Sequence, residues 1–456
     1  MFPSTRTLAG ALLLSSAASA HADILLVTTS ADSYDGVCNL HCSLRDAVAR
    51  ANQAPNADTI VLPPGTYVLN RPVALDANGL PVDDADHQFG DLDVLGELRI
   101  RGLDTAKTII QGQFNDRLFE VRPGASLRLE KLSLEKGNTV HNGGAVVNHG
   151  QLTLREVLVQ HNQALYPQFA LPPAERYTTA QGGGIANYGE LTLLSSRLQH
   201  NTATGHQMNV NTGRGGGLFN HLGTVVIRDS IFLANAALDH GDAGDGGALY
   251  NLQGTVMVER SSFLRHGGSE FSDAAIFNDE GELALTNSTL SQNYLGGLVN
   301  IRRQPAALAQ VTLTNVTITG HFGEDRYAVA NGGDLIIYNS IIAGNYDFSI
   351  KQAPANCFNF GNYSYQATGL LIGDEPSNCT GDYFVSFEDT YTKVLFPTLS
   401  KPDETHWLHA LRPGSSAIDA GIGACIAHDQ RGVARPQDGN DDGVAVCDLG
   451  AFELIP

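Results

Sequence analysis

Cations are scarce in this chain. Lysine and arginine together number 28 against 48 aspartates and glutamates, a formal charge of -20 at pH 7. Nucleic acid and anionic membrane surfaces are gripped through Lys and Arg, so neither is an expected partner, whereas cation binding is permitted. Long apolar runs are missing too. Past Leu14 no stretch approaches the length of a membrane span, so no transmembrane segment is expected. Tryptophan occurs once, at Trp407. No Lys-Ser or Lys-Thr follows Gly182-Gly183-Gly184 or Gly215-Gly216-Gly217, which excludes phosphate loops. The histidines form no HxxxH or HxH pair, no GxSxG elbow is present, and a long 3.6-residue periodicity is absent.

What the chain has instead is a repeat. A glycine pair, a few apolar residues and an asparagine are followed, after a nearly constant interval, by a second asparagine. The pairs are Asn148 and Asn162, Asn187 and Asn201, Asn220 and Asn235, Asn278 and Asn293, and Asn331 and Asn345; His266 takes the second place after Asn251. Successive first asparagines, with Asn300 included, are 39, 33, 31, 27, 22 and 31 residues apart. Such a period means a solenoid. Leu152-Thr153-Leu154, Val225-Val226-Ile227 and Leu335-Ile336-Ile337 are short, apolar or β-branched, and bounded by Gly and Asn, which is strand chemistry. The Leu-x-x-Leu-x-Leu frame of leucine-rich repeats is absent. The expected fold is all-β: a parallel β-helix with two or three short strands per coil. Ser196, Ser230, Ser261, Ser288 and Ser340 fall in one column, and Asn287, Asn315 and Asn339 in the column before it. Stacked asparagines there are expected to satisfy one another's amides and to accept left-handed backbone.

The ends differ from the repeats. Residues 1–22 carry one charge, an apolar stretch and small residues before Ala22, the pattern of a secretory signal peptide, so the mature protein is expected outside the cell, at its surface or in a periplasm. Residues 23–89 read as an amino-terminal cap that includes a helix over 43–52, with Ser43 and Asp46 as a capping box. Coils are expected over 90–347, an irregular excursion over 348–410, and a carboxy-terminal cap over 411–456. The six cysteines group as neighbours, and in an exported protein this predicts three local disulfides: Cys38 with Cys42, Cys357 with Cys379, Cys425 with Cys447. A monomer is expected.

Several of these segments resemble a known group. Cys42-Ser-Leu-Arg-Asp-Ala47 resembles the CSLREA motif of secreted bacterial β-helix proteins, with Asp46 where the motif has Glu. Pro413-Gly-Ser-Ser-Ala-Ile-Asp-Ala-Gly421, Asp429-Gln-Arg-Gly-Val433 and Cys447-Asp-Leu-Gly-Ala-Phe-Glu453 are similar to the choice-of-anchor Q region of those proteins. The repeats resemble the GGAI and FxxN motifs of polymorphic outer-membrane proteins, best seen in Phe232-Leu-Ala-Asn235. The resemblance implies a right-handed parallel β-helix at the cell surface or beyond it, in a group mostly without assigned activity. Those relatives continue into anchoring segments or barrels, whereas this chain stops shortly after Glu453, so free secretion is expected.

Chemistry is sought in what varies between repeats. Extra residues enter between the second asparagine and the next glycine pair, over 165–181, 204–214, 238–245 and 267–272. Insertions at equivalent positions emerge from one side of a solenoid, where loops carry function. Tyr166, Phe169, Tyr177 and His206 are candidate sugar-binding residues there. Asp239, Asp242 and Asp245 with His240 or Arg214 are the one local constellation that could hold a cation and move a proton. Two readings stay open: an exported protein that binds a glycan, matrix or cell-surface partner, and a polysaccharide lyase or glycoside hydrolase. Separately, Asp438, Asn440 and Asp442, with Asp448 nearby in sequence, place oxygens at alternate positions around a glycine turn and are candidate ligands for a structural calcium ion. Leu449 stands where an EF-hand needs glutamate, so the site is not an EF-hand.

Overall fold

The structure, a computed structural model, describes residues 22–53, 57–75, 77, 87–113, 116–140, 142–165, 180–205, 213–238, 244–267, 274–323, 327–347, 353–361, 363–374 and 378–456. Among them the strands stack in parallel, coil upon coil, and the chain is a parallel β-helix. One coil shows the pattern. Ile185–Asn187, Glu190–Leu194, Arg197–Gln199 and Thr202–Thr204 are four strands, and each pairs in register with its counterpart one coil on. The first belongs to a ten-stranded sheet, the next two to a long sheet of 22 strands bent at a corner, and the last to a four-stranded sheet. The fourth strand exceeds the expected two or three. At three residues it is too short for alternation to announce it.

Corners are made by left-handed residues. Ser195, Asp229, Arg260 and Asn287 have φ near +50° at one bend, and His200, Ala234 and Arg265 do the same at the next. Backbone of this kind is costly for a residue with a side chain, and the adjoining column offsets the cost with hydrogen bonds. Ser230 Oγ accepts from Ser196 N at 3.1 Å in the coil before and donates to Arg228 O at 2.7 Å; Ser261 and Ser288 repeat the arrangement. At the glycine pair no side chain is possible. A Cβ on Gly182, whose φ is +69°, would sit 2.2 Å from Ile185 O, and one on Gly183 would sit 2.3 Å from the Thr202 backbone of the same coil.

Two amide ladders run along the stack from Asn148 and Asn162 onward. In the first, each Asn Nδ2 donates to the Oδ1 of the next coil: Asn148 to Asn187, then Asn220, Asn251, Asn278, Asn300, Asn331 and Asn359. In the second, Asn162, Asn201, Asn235, Asn293, Asn345 and Asn356 share the work with His266 and His321. His266 Nδ1 accepts from Asn235 N at 3.1 Å and Nε2 reaches Phe232 O at 3.2 Å or less, the carbonyl equivalent to the one Asn235 Nδ2 reaches one coil earlier. The imidazole thus replaces an amide, acceptor for acceptor and donor for donor.

Asn287, Asn315 and Asn339 correct an expectation. They are left-handed, as anticipated, but they do not stack amide on amide. Asn287 Nδ2 donates to His428 O, Asn315 Nδ2 to Asp448 O, and Asn339 Oδ1 accepts from Ile422 N. The carboxy-terminal cap is therefore laid along the flank of the solenoid, with Gln430, His409 and Trp407 bonded to Thr289, Ser291 and Ser262. Its own apolar residues, among them Leu395, Leu411, Ile418 and Phe452, pack with Ile341 and Leu371 of the coils. The stack also exceeds the expected limits. Ile24–Leu26, Asp58–Leu62 and Gly65–Leu69 already belong to the long sheet, and Cys357–Asn359, Tyr365–Gly373 and Tyr383–Val385 add a coil beyond residue 347. The three disulfides form as paired in the sequence reading, Cys38–Cys42, Cys357–Cys379 and Cys425–Cys447. The helix is Leu44–Asn52, with the Ser43–Asp46 capping box in place.

Candidate functional site

The inserted segments leave and return in register. The chain departs the four-stranded sheet at Leu165, Thr204 and Leu238, which pair with one another, and re-enters at Gln181, Arg214 and Asp245, which form parallel bridges. These anchor points lie on one side of the solenoid, as equivalent positions require. Tyr166, Phe169, Tyr177, His206, Asp239, His240 and Asp242 lie outside the described residues. Arg214 and Asp245 are brought together: Arg214 Nε stands 3.9 Å from Asp245 Oδ2, and its guanidinium lies 5.0 Å from the centre of the Tyr250 ring.

Both belong to the rim of the outer face of the ten-stranded sheet. Alternation along each strand sends Leu218 and Leu249 into the core and Phe219 and Tyr250 outward. The outward column of Val147, Ala186, Phe219, Tyr250 and Phe277 forms a separate apolar cluster, and the rings of Phe219, Tyr250 and Phe277 stack at 5.8 and 5.1 Å. This floor is buried, so a ligand would meet the groups beside it. On one side stand Asn142, Gln181, Arg214 and Asp245, on the other His149, Tyr188 and His221. The Tyr188 hydroxyl accepts from Asn142 Nδ2 at 2.7 Å and donates to Gln181 Oε1 at 3.1 Å, while its ring stacks on His149 at 4.9 Å. Burial pushes the Tyr188 phenol up to about 12 and lowers His221, so both are neutral at pH 7.

Ion pairs border this apolar column. Two residues along the strand from Phe277, Asp279 Oδ2 accepts from the Tyr250 hydroxyl at 2.5 Å, and Arg303 Nε bonds both Asp279 oxygens at 2.9 Å. Arg303 comes from the segment that joins the strands Leu298–Ile301 and Gln310–Thr314. At the earlier end the outward column turns acidic, with Asp93 and Glu120 in register with Val147. Arg117 Nη1 reaches Glu120 Oε2 at 2.8 Å; Arg122 bridges Glu120 and Asp93 at 2.9 and 2.8 Å. Asp91, whose Oδ2 is 3.7 Å from Arg117 Nε, is pushed well above the usual carboxylate range by burial, which Arg117 opposes and Asp116, Asp93 and Glu120 reinforce. Sequence reasoning missed this cluster. Aligning Leu92-Asp93-Val94 and Phe119-Glu120-Val121 with Val146-Val147-Asn148 would have exposed acids in an otherwise apolar column.

The CSLR segment holds that end in place. Arg45 is fully buried, pairs with Asp32 at 2.7 Å, and donates to the carbonyls of His87, Phe89, Gly90 and Asp91. Asn52, at the end of the helix, binds Asp93 O and Leu95 N. The amino-terminal helix thus positions the backbone that carries Asp91 and Asp93.

Asp438, Asn440 and Asp442 accept backbone N–H groups of their own turn, while Asp448 accepts from Asp419 N and Leu454 N. Among the described residues no group of three or more His, Cys, Asp or Glu is placed to hold a metal ion. Among them, too, no helix is long and apolar enough to cross a membrane.

No protein-family model matches the chain, and no curated protein matches it. Among solved structures the chain is similar to pectate lyase Pel9A, over 95% of this chain and 96% of that one, at 15% identity and a TM-score of 0.48. It is similar to a PL6 alginate lyase in complex with a trisaccharide over 87% of this chain and 92% of that one, at 12% identity and a TM-score of 0.37. Likeness at this level carries no argument about activity, and the function has to be read from the site.

Proposed function

We propose that the chain is an exported β-helix protein that binds a glycan along the outer face of its ten-stranded sheet. One observation carries the reading: Gln181, Arg214 and Asp245 stand in register on three successive coils, at the return point of the three longest insertions and beside Tyr188 and Tyr250. Guanidinium, amide, phenol and carboxylate groups next to aromatic rings match the alternating hydroxyls and apolar faces of a sugar. Asp93, Glu120, Asp245 and Asp279 each have a guanidinium partner, which suits orientation of hydroxyls more than proton transfer. A glycan array read with the wild-type protein and Arg214→Ala tests it. Binding lost in the variant is expected; a wild-type protein that binds nothing on the array would sink the reading.

The second reading is a polysaccharide lyase or glycoside hydrolase, and Asp91 favours it. A buried carboxyl whose hold on its proton is strengthened by burial has the leaning a general acid needs. A reducing-sugar and unsaturated-product screen across acidic and neutral polysaccharides, with Asp91→Asn as the control, decides between the two. Calcium at the 438–443 turn belongs to either reading as a structural ion. It predicts a calcium-dependent rise in melting temperature that Asp442→Ala removes.

A further inference from the structure

The few cations of this chain are not spread evenly. Arg99, Arg101, Arg128, Lys131 and Arg155 line one cleft of about 240 Å³ on the long sheet, with Glu130 and Glu156 as the only acids in its lining. Five positive and two negative groups leave a local excess of three positive charges on a chain whose net charge is -20. Register explains the crowding: Arg99 sits beside Arg128, and Arg101, Glu130 and Arg155 share a row across three strands. Like charges side by side on neighbouring strands destabilise a sheet. The next coils do without them, since Thr153, Thr192, Val226 and Met257 continue the Arg99–Arg128 column.

Internal pairing does not consume the charge. Glu130 is shared between Arg99 and Arg128, whose side chains remain 43% and 44% exposed. Burial alone would raise the Glu130 carboxyl, but hydrogen bonds from those two arginines hold it below the ordinary range, so it keeps both heads fixed. Glu156 lies 3.6 Å from Lys131 and 3.8 Å from Arg155, and Arg101 makes no ion pair among the described residues. The cleft also continues. A neighbouring groove of about 500 Å³ shares Glu156 and runs past Leu158, Ser195 and Arg197 to Glu404 and Thr405 of the carboxy-terminal segment.

We propose that this cleft is a second binding site, separate from the ten-stranded face, for an acidic polysaccharide that presents carboxylates to Arg99, Arg101, Arg128 and Arg155. Guanidinium forks match planar carboxylates, and coils about 4.8 Å apart offer them in a row to an extended chain. A nucleic acid would meet no aromatic stacking platform in this cleft and strong repulsion around it, and a membrane could not enter a concavity.

Calorimetric titration with polyuronate oligomers, and with neutral oligomers of the same length, tests the assignment. The acidic oligomers are expected to bind, more weakly as salt rises. Arg101→Glu with Arg155→Glu should reduce affinity roughly tenfold or more, since both charges are reversed in an exposed site, while the row of three acids it forms with Glu130 should lower the melting temperature. The corresponding double lysine variant should retain most of the affinity. Equal binding of the neutral oligomer, an unaffected double glutamate variant, or tighter binding of single-stranded DNA or phosphatidylserine vesicles would overturn the proposal. Arg214→Ala, which tests the ten-stranded face, should leave polyuronate binding intact, so failure at one site is distinguishable from failure at the other.

Discussion

The two amide ladders do the same mechanical job with different materials. From Asn148 to Asn359 every rung of the first is asparagine, whereas His266 and His321 interrupt the second. The hydrogen-bond pattern survives the exchange because a neutral imidazole offers one acceptor and one donor, as the amide does in this setting. The charge behaviour does not survive it. Burial, opposed by the bonds to neighbouring backbone, lowers His266 to about 3 and His321 to about 4, so the second ladder titrates in a way the first cannot.

Acid should therefore separate them most. Unfolded imidazoles take protons near the ordinary value of 6.5, but the buried ones refuse until about 4 and about 3. The stabilisation is complete above pH 6.5 and is lost as pH falls toward those values, by on the order of 1 kcal/mol per pH unit from each imidazole. His409, lowered by burial, acts in the same direction. His406 opposes it: burial pulls it down, yet Asp229 and Asp403 raise it on balance, so its contribution is present at low pH and fades as pH rises past its raised value. Denaturant unfolding from pH 7 to pH 4 measures the sum, and a stability flat across that range would contradict the neutral imidazole rungs.

In the all-asparagine ladder the largest effect should come from the middle. Asn220 donates to Gly223 O and Asn251 Oδ1 and accepts from Asn187 Nδ2, all of them buried. Asn220→Ala leaves those partners without bonds and should cost roughly 3 kcal/mol in urea unfolding. Ser230→Ala, in the serine column at the neighbouring corner, removes the acceptor for Ser196 N and the donor to Arg228 O and should cost about 1 kcal/mol. His266→Asn is the smallest change at pH 7, under about 1 kcal/mol, because the amide can restore both bonds. It should nevertheless flatten the acid dependence, which a comparison of the two pH series would reveal.

The glycine–asparagine interval was legible because its cause is local. One coil brings Gly182 against Ile185 and Gly183 against Thr202, and a side chain at either glycine of the pair would collide with backbone, so the pattern must recur in every coil of that kind. The capping box of Ser43 and Asp46 and the neighbouring cysteine pairs are local in the same sense. The Asn287, Asn315 and Asn339 column was misread because its partners, His428, Asp448 and Ile422, are more than eighty residues away and nothing in the repeat announces them. The site was half legible. Unequal spacing pointed to one side of the solenoid and to Arg214 and Asp245, but Asp91, Asp93 and Glu120 lie in coils whose asparagine signature is missing, so no repeat drew attention to them.

Sequence alone determined that this chain stacks as a parallel β-helix, because close-approach glycines, corner residues and ladder amides answer to contacts between adjacent coils. Only the tertiary structure decided which outward side chains become neighbours. The register that sets Arg99 beside Arg128, or Glu120 beside Val147, joins residues roughly thirty apart, and the charge each outward column accumulates depends on coil lengths that no single repeat encodes.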